Sequence, residues 1–124
     1  MSDFSYFLDD VPRPVLYRAL FTQNGASAPS VVAVLENSLV GTPTWARSGV
    51  GVYTVTLTGA FPSNQTFCQF AQGPVDDPPT HGIICTVSRT SNDVVTIRSF
   101  NIAGTPAEME HAGGAASLEI LVYS

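Results

Sequence analysis

The chain has two histidines, His81 and His111, and the acids nearest them are Asp76, Asp77, Glu108 and Glu110. Imidazole and carboxylate together are the donor set of a divalent metal site. Such a site would have to be assembled across two loops, and neither an HxH nor an HExxH spacing occurs, so solvated loop side chains are the simpler reading. The adjacent carboxylates of Asp76 and Asp77 lack the alternate-position spacing of a calcium loop. Serine is abundant enough for a Ser-His-Asp triad, but no GxSxG elbow presents a nucleophile. The glycines of Ser48-Gly-Val-Gly51 precede a strand rather than open a helix, which makes them a tight turn and not a phosphate cradle. No catalytic residue, metal or cofactor is expected, and the chain is read as a non-enzyme.

Cys68 and Cys85 are the only cysteines. They are too few for a disulfide framework and lack the CxxC spacing of a zinc or redox site. They lie symmetrically about Asp76-Asp77, so a hairpin there would set them opposite each other on neighbouring strands. Reduced thiols are expected.

Ten acids face five arginines, with no lysine, giving a net charge of −5. The arginines, Arg13, Arg18, Arg47, Arg89 and Arg98, are scattered, so phosphate neutralisation by a basic groove is not expected and nucleic acid is excluded as a partner. Without lysine there is no Schiff base and no P-loop lysine. No apolar run approaches the roughly 18 residues of a membrane span, so no membrane insertion is expected. The start, Met1 to Asp10, carries acids where an export signal needs a basic flank and an apolar stretch, so synthesis and retention in a cytoplasm are expected.

Elements that would position these residues are strands throughout. No window keeps the helical i, i+3, i+4, i+7 spacing, while short apolar runs alternate between turn residues. The strands are Val15–Thr22, Ser30–Asn37, a short one around Trp45, Val52–Thr58, Thr66–Ala71, Gly82–Arg89, Val94–Ile102 and Ser117–Ser124. The clearest is Val52–Thr58, in which Tyr53, Val55 and Leu57 alternate with Thr54, Thr56 and Thr58. Gly82–Arg89, with Ile83, Cys85 and Val87 on one face, forms a hairpin with Val94–Ile102 through Thr90-Ser-Asn-Asp93. Ala103–Ala115 is read as a loop with one short helical turn. Eight such strands predict an all-β fold: an antiparallel two-sheet sandwich, jelly-roll-like, spanning residues 15–124 behind an N-terminal arm of residues 1–14.

Two features exceed what one small sandwich can bury. The closing strand carries Leu121 and Tyr123 on the side opposite Leu118, Ile120 and Val122, and the arm carries Phe4, Tyr6, Phe7 and Leu8. These six residues are the expected oligomer or partner-docking positions, with cyclic symmetry as the default. Asp76, Asp77 and His81, in the longest proline-rich loop, are the loop residues for a ligand or receptor. Trp45 is read as a core plug rather than a sugar-stacking platform. Asn64-Gln-Thr66 fits a glycosylation sequon that a cytoplasmic protein does not use.

The segments Tyr17-Arg-Ala-Leu-Phe-Thr-Gln-Asn-Gly25, Val34-Leu-Glu-Asn37, Gly51-Val-Tyr-Thr-Val-Thr-Leu-Thr-Gly-Ala-Phe61 and Leu118-Glu-Ile-Leu-Val-Tyr123, with Trp45, resemble small β-rich domains of bacteriophage virion proteins. The resemblance covers about Val15 to Tyr123 and rests on strands and turns, so it carries over no functional residue. It implies a jelly-roll-like virion component, often a trimer, serving as capsid decoration, head fibre or tail fibre. Implied partners are other virion proteins and a host cell-surface glycan or protein. The competing reading is a soluble carbohydrate- or ligand-binding β-sandwich module.

Overall fold

The computed structural model describes residues 14–71 and 83–123. Phe4, Tyr6, Phe7, Leu8, Asp76, Asp77 and His81 lie outside the described residues. Eight strands run in chain order: β1 Val15–Gln23, β2 Ser30–Asn37, β3 Thr44–Gly49, β4 Val52–Thr56, β5 Thr66–Ala71, β6 Ile84–Arg89, β7 Val94–Phe100 and β8 His111–Val122. They form two antiparallel sheets, ordered β2-β1-β8-β5 and β3-β4-β7-β6. The fold is therefore an all-β, two-sheet sandwich. The sequence-distant pairs β1–β8 and β4–β7 occupy the two sheet centres, and the hairpins β1–β2, β3–β4 and β6–β7 extend the sheets toward their edges.

Alternation along each strand sets which side chains meet between the sheets. Tyr17, Ala19 and Phe21 of β1, with Leu118, Ile120 and Val122 of β8, face Tyr53 and Val55 of β4 and Val95 and Ile97 of β7, all buried in one core. Burying a side chain of this size stabilises by roughly 1.5–3 kcal/mol before the entropy of ordering is charged against it. Trp45 closes one flank of this core. Its indole Nε1 donates to the Tyr17 hydroxyl at 3.0 Å, and its ring lies 4.7 Å from that of Phe21. A β3 residue is thereby tied to β1 across the gap between sheets, as the core-plug reading anticipated.

Several expectations are corrected. Residues 66–71 and 84–89 do not form one hairpin: β5 pairs β8 in the first sheet and β6 pairs β7 in the second. Cys68 sits beside Ile120 and Cys85 beside Ser99, so the two are not cross-strand partners. Alternation shows that each strand has an inner face but does not say which sheet it joins. The loop expected to end at Ala115 instead stops at Glu110, and β8 starts at His111, where the backbone pairs with Gln23. No helix forms in residues 103–110: Pro106 bridges to Phe100, and the Asn101 side chain accepts from the amides of Ala103 and Thr105, turning the chain tightly. Strands β4 and β7 also stop at Thr56 and Phe100, two residues before the expected ends, because the Leu57 amide leaves the ladder to donate to Asp93 and Asn101 turns away.

Candidate docking surface

The outer face of the β2-β1-β8-β5 sheet is organised in rows by its register. Leu16, Leu121 and Phe67 lie side by side across β1, β8 and β5. In the next row Glu36, Arg18, Glu119 and Gln69 span all four strands. Arg18 Nε donates to Glu119 Oε2 at 2.8 Å, and its terminal nitrogen donates to the same oxygen. This ion pair is partly exposed, so it orients the two side chains while adding little stability. Beside it lies a shallow depression of about 410 Å³ lined by Arg18, Gln69, Phe70, Ala71, Ser117 and Glu119.

Apolar exposure concentrates on this sheet. Phe67 is 52% exposed and Tyr123 44%, while Leu121 is half-buried. Of the six expected docking positions, these last two are the described ones, and both stand on the outer side of the closing strand. Sequence reasoning missed Phe67 and Leu16, whose place in the row depends on which strands flank β8.

Strand β2 was read correctly as Ser30–Asn37, but its exposed apolar surface was missed. It forms one edge of the sheet among the described residues, and Val31, Val32, Val34 and Leu35 are exposed by 38%, 61%, 49% and 54%. Val31 and Val34 lie opposite Phe21 and Ala19 on the core side of the sheet, yet both stay exposed at its edge. The visible signal was the run Val31-Val-Ala-Val-Leu35, apolar on both faces where a half-buried strand alternates.

A second polar cluster holds the segment before β8 against the other sheet. Glu108 accepts from Arg47 Nε at 3.1 Å and its terminal nitrogen at 2.5 Å, from the Gly51 amide at 3.2 Å and from the Tyr53 hydroxyl at 2.8 Å. The Arg47 guanidinium, followed by the smaller hydrogen bonds, lowers the Glu108 carboxyl below its ordinary value, and Glu108 in turn raises Arg47. The Tyr53 hydroxyl accepts the Met109 amide, Gln23 Oε1 accepts the Glu110 amide, and Ser99 Oγ donates to the Ala107 carbonyl. Burial pushes the Tyr53 phenol up to about 12. Glu108, a residue considered for a metal site from sequence, is thus engaged in an ion pair. Of the other residues considered for that site, His111 opens β8, while Asp76, Asp77 and His81 fall outside the described residues. Among the described residues no group of three or more His, Cys, Asp or Glu side chains is placed to hold a metal ion. The cluster is saturated by its own hydrogen bonds and functions as a clamp.

Cys68 and Cys85 are free, half-buried thiols, and burial pushes both up to about 11. No helix among the described residues is long and apolar enough to cross a membrane.

Fold and surface together define an antiparallel β-sandwich with exposed apolar side chains concentrated on one of its sheets. Comparisons with family models, curated proteins and solved structures found no match.

Proposed function

We propose that the chain is a non-enzymatic structural subunit of a bacteriophage particle, a capsid-decoration, head-fibre or tail-fibre component that assembles as a symmetric homo-oligomer, with a trimer as the expected state. The observation that carries the self-association is the outer face of the first sheet, where Leu16, Leu121 and Phe67 make a continuous apolar row beside exposed Tyr123. A partly exposed apolar row of this kind supports a surface that is covered in the working state. The resemblance of the strand segments to phage virion domains supplies the setting. In that setting the protein is made in the bacterial cytoplasm and then built into the virion. The arm, through Phe4, Tyr6, Phe7 and Leu8, docks on another virion protein, and the loop with Asp76, Asp77 and His81 meets a host-surface glycan or protein.

Light scattering on the purified chain tests the assembly: a mass of about 39 kDa, three times the 13.1 kDa chain, is expected. A monomer at high micromolar concentration overturns the assembly role and moves the carbohydrate-binding reading to first place. Failure of the tagged chain to co-purify with particles from an infected host overturns the virion assignment.

A further inference from the structure

We infer that residues 101–110 form a hinged strap that opens as a unit at one end of the sandwich, and that the buried side chain of Gln23 transmits its opening to the β1–β2 turn at residues 24–27. The strap carries the chain from β7 in one sheet to β8 in the other. Its backbone joins β7 through one isolated bridge, Phe100 to Pro106, and neighbouring side chains hold the rest. Ser99 Oγ donates to the Ala107 carbonyl, the Tyr53 hydroxyl accepts the Met109 amide, and Arg47, Gly51 and Tyr53 all donate to Glu108.

These contacts gather at residues 107–110, so they are made or lost together. Residues 102–106 are exposed, and Met109 is the one buried side chain of the strap. Segments with so little buried surface open at lower free energy than the strands they join. Two left-handed positions mark where the strap swings, Gly104 at φ +84° and Glu110 at φ +49°. Glycine takes that conformation freely, whereas Glu110 is strained there, and opening relieves the strain.

Gln23 is 1% exposed and has partners at both ends of its amide. Its Oε1 accepts the Glu110 amide at 2.7 Å, across 87 residues of chain. Its Nε2 donates to the Gly25 carbonyl at 2.7 Å and to the Ser27 carbonyl at 3.0 Å. Among the described residues it is the one hydrogen-bonded link between strap and turn. A buried amide that loses its acceptor contact at one end is left with an unsatisfied oxygen, so it shifts to recover a partner and releases the turn at the other. The coupling is reciprocal: loosening the turn loosens the strap. A ligand or subunit that seizes either segment is therefore felt at the other.

Hydrogen exchange followed by NMR tests both halves, with one variant on each side of Gln23. Tyr53→Phe keeps the ring and removes the hydroxyl that holds Glu108 and Met109. It should speed exchange of the Ala107 and Glu110 amides by roughly 10- to 100-fold. The Gln23 side-chain NH2 protons, which Tyr53 does not touch, should speed up with them, while the ladder amides of β4 and β7 stay unchanged. Gly25→Ala strains the turn at φ +55°, where a Cβ meets nothing, and should speed exchange at Glu110 and Ala107 in return. In Gln23→Met, which removes both ends of the relay at similar volume, adding Gly25→Ala should leave the strap amides unmoved. If Tyr53→Phe speeds Glu110 but not the Gln23 NH2, or Gly25→Ala leaves Glu110 unchanged, the relay is wrong. Strap amides that exchange at the rate of β4 and β7 in both wild type and Tyr53→Phe overturn the strap itself. Should Gln23→Met melt too early to read, β4 and β7 amides that speed up along with the strap in Gly25→Ala overturn the relay as a general softening.

Discussion

Tyr53 and Glu108, 55 residues apart in the chain, share one hydroxyl that works in both directions: it donates to Glu108 Oε1 at 2.8 Å while accepting the amide of Met109 at 2.9 Å. The sheet thus holds both a charge and a backbone group of the segment leading into β8. Removing either partner leaves the other polar group short of a bond in a place where water has limited access, which is why such pairs cost more to break than to omit.

Acid should loosen this clamp. The Arg47 guanidinium holds the Glu108 carboxyl below its ordinary 4.5 in the folded state, so the unfolded chain takes up the proton more readily. The stabilisation is complete above about pH 4.5 and is lost as pH falls through the lower folded value. Melting followed by circular dichroism should show Tm falling below pH 5, with Glu108→Gln lowering Tm at pH 7 by roughly 4–8 °C and flattening the acid slope. An unchanged slope in the variant would mean that other carboxylates govern the acid limb.

Gly51 should be the least replaceable glycine of the described turns. Its φ is +67°, and a Cβ there would lie 2.5 Å from the Ser99 carbonyl oxygen and 2.6 Å from that of Ala107. Gly59, at φ +69°, has open space around it and serves as the control. Gly59→Ala should cost roughly 1–2 kcal/mol from backbone strain alone. Gly51→Ala should cost roughly 3 kcal/mol or more, because the collision is with backbone that cannot swing aside. Denaturant titration compares the two, and equal costs would refute the close approach.

The thiols should be sluggish. Burial raises Cys68 and Cys85 from 9.0 to about 11, which at pH 8 lowers the thiolate population by roughly 100-fold relative to an ordinary thiol. Alkylation by iodoacetamide, read by intact mass, should be slower by about that factor in the native protein than in the chain unfolded by denaturant. Comparable rates would show that the two side chains sample solvent freely.

The strands were legible wherever one face is apolar and the other polar. Val52–Thr56 is the plainest case, since a period of two fits no helix and its threonines have no place in a core. Strand β8 shows the limit. From Leu118 onward it alternates cleanly, but His111 to Ala116 is glycine and alanine with no period to read, and it is strand because β1 offers partners. Sheet membership was invisible for the same reason: Cys68 and Cys85 each alternate correctly, and their separation into two sheets is decided by β8 and β7. The clamp joins Arg47 to Glu108 across 61 residues, a relation set by tertiary packing alone. Leu121 and Tyr123 were visible as surplus apolar residues. The exposed β2 was equally visible in its composition, yet a strand apolar on both faces reads as buried until the sheet order makes it an edge.

Val15 and Val122 are register partners in the antiparallel β1–β8 pair at the centre of the first sheet. Chain entering before β1 and chain leaving after β8 therefore share one pole of the sandwich. Tension applied between residues 15 and 122 loads that ladder one hydrogen bond at a time from its end, so the strands peel apart at low force. Tension applied between residue 15 of β1 and the start of β8 at His111, at the opposite pole, shears the β1–β8 bonds together and meets much higher resistance. The domain is mechanically soft when tugged by both of its tethers and stiff when anchored by one and pulled at the far tip.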